Sequence, residues 1–200
     1  MTASTTRRPG GRTARNTAAV FTATVDELAD RGFDEISIES IAARAGVHKT
    51  TVYRRWGSKA ELVRQALAAT AQSMIEAPDT GTVSEDLRLL SRAVQATLGS
   101  PRGAATTRSV LAGAAASPEI RAMMAKFWDT RLAAIAAIID RGVARGELPA
   151  GTEPAGVMHA VAAPLYYRLL VTGEPLTPEH ADETAAAALA AARAGVFSRT

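Results

Sequence analysis

The stretch that decides the fold covers residues 37–62 and reads SIESIAARAGVHKTTVYRRWGSKAEL. Ser37 is a favoured N-cap residue and Gly46 a favoured C-cap residue, so the spacing predicts a short helix between them. A second short helix, KTTVYRRW, follows after a few residues and carries Val52 and Trp56 on one side, at i and i+4. Two short helices joined by a tight glycine turn are typical of a helix-turn-helix.

The outward side of the second helix is slim, polar and basic. A DNA major groove is about 12 Å wide, so a helix that enters it needs small polar side chains on its outward side. The start of this helix supplies them as His48, Lys49, Thr50 and Thr51. Between Arg44 and Lys59 there are five positively charged residues and no negatively charged one. Because neutralised phosphates release counterions, which favours binding, the segment predicts double-stranded DNA as a partner.

Helical spacing continues on both sides of this stretch. Upstream, apolar residues recur in steps of three and four and predict a helix from Thr13 to Arg31. Downstream, Ser58 and Glu61 form the S-x-x-E pattern of a capping box. Later residues of N-cap type, which predict the starts of longer helices, are Thr82, Ser117, Thr152 and Thr177. The pattern predicts an all-α fold of about nine helices.

The composition agrees with a helical protein and excludes several classes. Hydrophobic residues make up 47% of the chain but aromatic residues only 4%, because alanine, the strongest helix former, dominates the apolar share. The absence of cysteine excludes disulfides, thiolate metal sites and cysteine nucleophiles. No apolar run reaches the roughly 18 residues of a membrane helix, and the polar start is unlike a secretory signal. We expect a cytoplasmic protein with no membrane partner.

The positive charge is concentrated near the beginning of the chain. Residues 1–60 carry ten Lys or Arg and six Asp or Glu, a net charge of +4. Residues 61–200 carry thirteen and fourteen, a net charge of −1. This asymmetry is expected if the first part of the chain meets phosphates.

The run IAARAGVHKTTVYRRWGSKAELV resembles the DNA-binding domain of the tetracycline-repressor (TetR) family. The resemblance covers about residues 13–62 and is specific because about a dozen positions match at fixed spacing. The positions that carry the pattern are Ile41, Ala42, Ala45, Gly46, Val47, Thr51, Val52, Tyr53, Trp56 (as an aromatic residue), Ser58, Lys59 and Leu62. Two positions depart from the family pattern: His48 stands where serine is usual, and Trp56 where phenylalanine is usual.

The resemblance implies a division into three regions. Residues 1–12 would be a disordered basic arm, and residues 13–60 the helix-turn-helix DNA-binding domain. Residues 61–200 would form a helical ligand-binding and dimerisation domain, and the segment PLYYRLLVTGEPL resembles one type of that domain. The alternative for the basic arm, with Arg7, Arg8, Arg12 and Arg15, is insertion into a DNA minor groove.

The resemblance also implies DNA-binding roles residue by residue. Lys49 and Thr50 would read bases, while Thr51, Tyr53 and Lys59 would contact phosphates. The remaining DNA-binding candidates are Arg15, Ser37, Ser40, Arg44, His48 and Arg54.

Two further sets of candidates lie in the C-terminal region. Apolar and aromatic side chains adapt to varied ligands, and those proposed to line a ligand cavity are Met74, Leu87, Leu111, Met123, Met124, Phe127, Trp128, Leu165 and Tyr166. Small residues allow helices to approach closely, and the proposed dimer interface comprises Val157, Val161, Leu165, Ala185, Ala188, Leu189 and Ala192.

These observations predict a homodimeric repressor that binds an inverted-repeat operator and is released by an unknown small molecule. Two alternatives stay open: a transcriptional activator of the same fold, or a helical adaptor that does not bind DNA. An enzyme is disfavoured because no Ser/His/Asp set, carboxylate pair or glycine-rich phosphate loop stands out. His159 and His180 lack neighbours at metal-ligand spacing, so we expect neither a metal nor a cofactor.

Overall fold

The computed structural model describes residues 11–72 and 77–199, and confirms the predicted all-α fold. In these ranges the backbone forms nine α-helices and one π-helical turn, with a single isolated β-bridge between Thr152 and Ser198. The helices are α1 (Gly11–Arg31), α2 (Ile38–Ala45), α3 (Lys49–Trp56), α4 (Lys59–Gln72), α5 (Val83–Gly99), α6 (Pro101–Ala116), α7 (Pro118–Ala144), α8 (Pro154–Tyr167) and α9 (Pro178–Arg193). The π-helical turn covers Arg168–Thr172, directly after α8.

Helices α1 to α4, residues 11–72, form what we call the head. The Ser37 hydroxyl accepts a hydrogen bond from the Ser40 amide at 3.0 Å, and the Ser40 hydroxyl accepts one from the Ser37 amide, which closes a capping box. Gly46 ends α2 at φ 64°, the left-handed conformation that glycine adopts without strain. Both predicted ends of this helix are confirmed. The sequence-based boundary at residue 60 falls inside α4.

Two of the predicted helix caps differ in the structure. The Ser58 hydroxyl accepts from the Glu61 amide at 3.2 Å, but the Glu61 carboxylate bonds to Arg64 and Gln65, which lie on its own helix. The sequence predicts Thr152 as the cap of α8, whereas the cap position is Glu153 and the Thr152 hydroxyl donates to the carbonyl of Pro149. In both cases the side chain that the sequence assigns to the cap instead forms a hydrogen bond with another nearby group.

Helices α5 to α9, residues 77–199, form what we call the body. Apolar side chains from four of these helices meet in one core, which includes Val83, Leu87, Ile138, Val157 and Leu189. Among the described residues, no helix is both long enough and apolar enough to cross a membrane.

Helix α7 takes part in the cores of both head and body. Near its start, Ile120 and Met123 are buried with head residues such as Leu28 and Phe33. Farther along, α7 contributes Ile135, Ile138 and Ile139 to the body core. Helix α6 lies tightly against this junction, because a Cβ atom added at Gly113 would lie 2.7 Å from Ile120 Cδ1. The two parts are therefore connected through buried side chains as well as through the chain.

The residues predicted for the dimer interface are all buried within the chain, and their part in dimerisation stays a prediction. They are at most 7% exposed; all but Leu165 belong to the body core, whereas Leu165 packs in a second cluster with Leu98, Ala104 and Leu169. The residues concerned are Val157, Val161, Leu165, Ala185, Ala188, Leu189 and Ala192. A buried side chain cannot contact a second molecule without rearrangement, and the alanine-rich sequence of α9 does not distinguish its inner face from its outer face.

Candidate DNA-binding face and ligand cavity

Helix α3 is fixed by buried apolar side chains and presents its polar side to solvent. Val52 is fully buried and Trp56 nearly so, one helical turn apart on the inner side. Arg55 is exposed, and so are the predicted DNA-binding residues at the N-cap and along the helix, His48, Lys49, Thr50, Tyr53 and Arg54; the predicted Thr51 is half-buried. We call the six predicted DNA-binding residues of this segment, His48, Lys49, Thr50, Thr51, Tyr53 and Arg54, the α3 face.

Trp56 holds α3 through its size and its ring nitrogen. Its ring lies 5.8 Å from that of Phe21 on α1, at an interplanar angle of 57°. Its indole N–H donates to the Gln65 side-chain oxygen at 3.1 Å. This bond satisfies the only hydrogen-bond donor of the buried tryptophan side chain. The residue that departs from the family pattern therefore has a defined partner on α4.

An acidic side chain that the sequence pattern does not reveal lies beside the α3 face. Glu39 on α2 accepts a hydrogen bond from the Tyr53 hydroxyl at 3.3 Å, and its carboxylate lies 3.9 Å from the Lys49 ammonium. Partial burial and, to a smaller extent, the Glu39 carboxylate raise the pKa of Tyr53, so the phenol stays protonated. Between Arg44 and Lys59 the sequence has no negative charge, but the fold brings one there from α2.

Other predicted DNA-binding residues also bond within the head. The Arg44 guanidinium donates to Glu27 at 3.0 Å and to Asp30 at 2.6 Å, both on α1. The hydrogen bond to Asp30 is the main reason that the pKa of Arg44 is raised. The Lys59 ammonium donates to the carbonyls of Phe33 and Ile36 and lies 4.4 Å from the centre of the Phe33 ring.

These bonds give the residues structural roles, of which the sequence predicts only the Ser37 cap. Ser37 and Ser40 cap α2, Arg44 ties α2 to α1, and Lys59 ties α4 to the loop before α2. Arg15 is exposed, and its side chain donates to the carbonyl of Gly11. His48 occupies the N-cap position of α3 without a side-chain hydrogen bond to the helix. DNA contacts by all these residues remain predictions.

A cavity of about 120 Å³ lies where α4, α5, α6, α7 and α8 meet. Its lining is mainly apolar, with Leu67 from α4, Val94 from α5 and Met158 from α8. Roughly 10–15 Å³ is enough for one water molecule. The space is therefore sufficient for a small organic molecule.

Three of the nine predicted ligand residues line this cavity: Phe127, Trp128 and Tyr166. The prediction is not supported for five others, which lie outside the lining. Leu87 and Leu165 are buried in body clusters, while Met123 is buried in the head core and Met124 packs against it. Leu111 is half-buried on α6, and Met74 lies outside the described residues. Met123 and Met124 point to the head because the start of α7 belongs to that core.

One wall of the cavity is aromatic and carries a cation. The Trp128 ring lies 5.5 Å from that of Phe127 and 5.6 Å from that of Tyr166, both in edge-to-face geometry. The Arg131 guanidinium lies 5.2 Å from the centre of the Phe127 ring. Burial raises the pKa of Tyr166 to about 12 and lowers the pKa of Arg131. Arg131 is absent from the residues predicted from sequence, although it lies one turn after Phe127.

Within residues 11–72 and 77–199, no three His, Asp or Glu side chains are grouped so that they could hold a metal ion. The described part of the chain offers a polar helix face and an apolar cavity. The fold and the α3 face together define a helix-turn-helix DNA-binding protein.

Comparison with known proteins assigns the family. The family model described as "Bacterial regulatory proteins, tetR family" matches residues 20–66, and the one described as "Tetracyclin repressor-like, C-terminal domain" matches residues 77–188. The chain therefore belongs to the TetR family of helix-turn-helix transcriptional regulators. Members of this family are regulatory DNA-binding proteins.

Individual proteins agree with this assignment. The chain is 34% identical to the DNA-binding transcriptional repressor TetR of Mycobacteroides abscessus over 164 residues, which cover 80% of this chain and 84% of that protein. It is 34% identical to the HTH-type transcriptional regulator AqdR of Rhodococcus erythropolis over 142 residues, 71% of this chain and 68% of that protein. A crystal structure of a TetR-family regulator from Rhodococcus sp. superposes with a TM-score of 0.74, at 17% identity, over 90% of this chain and 99% of that one, and shows the same fold.

Proposed function

We propose that this protein is a repressor that binds an inverted-repeat operator as a homodimer and dissociates when a small molecule enters the body. The observation that carries the proposal is the α3 face, an exposed polar surface held in place by Val52 and Trp56. The relative from M. abscessus, named a repressor, supports repression. The site of action would be the cytoplasm, where the operator DNA lies.

DNA binding would use the α3 face in the major groove. Lys49 and Thr50 lie in the first turn of α3, from which a recognition helix contacts base edges, and both are exposed. Thr51 and Tyr53 would donate to phosphates. Since the Tyr53 hydroxyl and the Lys49 ammonium both face Glu39, DNA must compete with that carboxylate for them.

Dimerisation would use the outer face of α8 and the π-helical turn, on the side away from the buried residues. Three large apolar side chains are exposed there: Tyr167 at 57%, Leu170 at 42% and Val171 at 65%. Exposed alanines on α9 that would permit close approach are Ala186, Ala187 and Ala190. A second copy of the chain would cover these surfaces as a four-helix bundle. The two α3 helices would then lie roughly 34–36 Å apart, one DNA turn.

Release would be transmitted by helices that touch both the cavity and the head. Leu67 on α4 lines the cavity and packs against the head core. On α7, Phe127 lines the cavity one turn after Met123, which is buried in the head core. A ligand that binds one arrangement of these helices more tightly shifts the population toward it, and a few kcal/mol of differential affinity is enough.

Selection of bound duplexes from a random DNA pool tests this function. The purified full chain should enrich an inverted repeat whose half-sites are centred about one DNA turn apart. A chain with Lys49→Ala and Tyr53→Ala should enrich nothing, while a control with Lys126→Ala, on the exposed side of α7, should enrich the same repeat. Enrichment of a single, unrepeated site would contradict dimeric binding, and no enrichment by the unliganded wild type would contradict the repressor proposal.

A further inference from the structure

The polar side chains that line the body cavity are three hydroxyl groups, one of which (Thr97) donates to the Ala93 carbonyl of its own helix, and one guanidinium. Among the described residues that line it, Thr97, Thr107, Arg131 and Tyr166 are polar, and none is Asp or Glu. Hydroxyl groups both donate and accept, whereas a guanidinium only donates. The cavity therefore offers one fixed positive charge, surrounded by apolar and aromatic side chains.

Arg131 is held at the cavity by its position on α7 and by the aromatic wall. Its guanidinium lies 5.2 Å from the centre of the Phe127 ring, a distance at which the ring face attracts a cation. Trp128 and Tyr166 extend the same wall with edge-to-face contacts. Because arginine keeps its charge in proteins, burial strengthens its attraction for an anion in the cavity instead of neutralising it.

The Tyr166 phenol adds a neutral donor beside this charge. Burial raises its pKa to about 12, so the hydroxyl keeps its proton at neutral pH. A planar carboxylate can accept from a guanidinium through one oxygen or both, and from a phenol in addition. An apolar ligand without an anionic group would gain no charge-assisted hydrogen bond from Arg131.

We infer that the effector is a small monocarboxylate, whose aromatic or aliphatic body fills the apolar part of the cavity and whose carboxylate binds Arg131, assisted by Tyr166. This inference names the ligand class of the proposed ligand-released regulator and rests on that function. The charge of Arg131 would select acids over their neutral analogues. The aromatic wall would select bodies that stack on it.

Matched pairs of probes separate the contribution of charge from that of shape. Titration calorimetry of the full chain would compare 4-phenylbutyrate with 4-phenylbutanamide and octanoate with octanamide. We expect each acid to bind at least tenfold more tightly than its amide, because charge-assisted hydrogen bonds are roughly twice as strong as neutral ones. Equal affinity of an acid and its amide would overturn the inference. So would a failure of all four compounds to bind.

Substitutions locate the charge that is responsible. Arg131→Met keeps an unbranched apolar side chain and should abolish the preference for the acid, whereas Arg131→Lys should retain part of it. Arg121→Met, exposed on the same helix, should leave the preference unchanged. Tyr166→Phe provides a second variant that removes a single hydroxyl and should reduce the preference. An unchanged acid preference in Arg131→Met, with a folded circular dichroism spectrum, would overturn the inference.

The proposed ligand class and the proposed release function are tested in separate assays, so that one can be contradicted without the other. Operator binding is measured separately, with the duplex recovered by selection and 4-phenylbutyrate as the added acid. Binding of the acid to the cavity without loss of the operator complex would support the ligand class and contradict ligand-triggered release. Release of the operator by 4-phenylbutanamide as effectively as by the acid would support release and overturn the proposed carboxylate recognition.

Discussion

Helices α3 and α7 both carry basic side chains, but they present them to different surroundings. The eight-residue α3 is fixed by two buried side chains, Val52 and Trp56, and turns its basic residues to solvent. The 27-residue α7 passes through two cores and brings Arg131 to an apolar cavity. We infer from this difference two uses of positive charge in one chain: an exposed set that binds a large polyanion, and a cation beside a cavity that binds a small anion.

The largest effect is expected when two side chains of the α3 face are truncated together. Lys49→Ala combined with Tyr53→Ala should weaken operator binding by at least about a hundredfold, since each of these side chains contributes about 1–3 kcal/mol and a dimer presents two copies of both. Thermal unfolding should be unchanged, because both side chains are exposed. Fluorescence anisotropy with the selected duplex measures the affinity, and Lys126→Ala serves as the control. Wild-type affinity in the double variant would show that DNA is bound elsewhere.

A second test concerns the exposed apolar face of the body. Val171→Glu places a charge at a side chain that is 65% exposed and should convert the proposed dimer to a monomer. Light scattering coupled to size-exclusion chromatography measures the mass, and operator affinity should fall with it. Leu89→Glu, 38% exposed on α5, is the control and should stay dimeric. A dimeric Val171→Glu would place the interface on another surface.

The connection between head and body is tested at Ile120. This side chain belongs to α7 but is buried with the head, so Ile120→Ala should lower the free energy of unfolding by about 2–5 kcal/mol. Urea denaturation should show one transition, shifted as a whole. Met124→Ala, which removes a side chain only partly buried on the same core, should cost less. Two transitions, with only one of them shifted, would show that head and body are separate units.

Substitution of Glu39 tests whether its carboxylate competes with DNA for Lys49 and Tyr53. Glu39→Gln removes a carboxylate that contacts Lys49 and Tyr53 and would repel phosphates. Exposed ion pairs are worth about 0–1 kcal/mol, so operator affinity should rise by up to about fivefold. Glu119→Gln at the exposed start of α7 should not change it. Weaker binding in Glu39→Gln would mean that the carboxylate positions the two side chains for DNA.

The smallest expected effect is a pH dependence within the head. Hydrogen bonds from Arg64 and then Gln65 lower the pKa of Glu61 from 4.5 to about 2. A folded-state pKa below the unfolded value stabilises the fold above about pH 4.5, and this stabilisation is lost as the pH falls toward 2. Because the Glu61 side chain is 37% exposed, Glu61→Gln should cost less than about 1 kcal/mol at pH 7.

Urea denaturation at pH 7 and pH 3 measures this dependence. The difference between wild type and Glu61→Gln should be smaller at pH 3 than at pH 7. Glu35→Gln, exposed in the loop before α2, should show no such trend. A difference that grows as the pH falls would reverse the assigned direction of the pKa shift.

The head could be predicted from sequence because its determinants are local. Ser37, Gly46 and the Val52–Trp56 spacing specify two helices within twenty residues, and each behaves as its residue type predicts. What could not be predicted depends on distant contacts. Glu39 meets Tyr53 only because α2 and α3 pack together, and Arg44 finds Glu27 across a separation of seventeen residues.

The body is harder to predict for the same reason. Met123 resembles a cavity residue in sequence, but the start of α7 packs on the head. In α9 alanine occupies both sides, so hydrophobicity does not indicate that Ala188 is buried and Ala187 exposed. Arg131 is one of many arginines, and only the packing of α5, α7 and α8 reveals that it faces a cavity.

Salt titration of operator binding tests the central claim, that the exposed cations of the head bind DNA, most directly. The affinity of the full chain for the selected duplex should fall steeply, with log K decreasing linearly against log salt. Substituting Lys49 alone by alanine should weaken binding, and substituting Arg54 alone should lessen the slope by about one for each phosphate that is no longer neutralised. Arg121→Ala on α7 should leave both affinity and slope unchanged. An affinity insensitive to salt, or an equal change of slope in the α7 variant, would contradict the account.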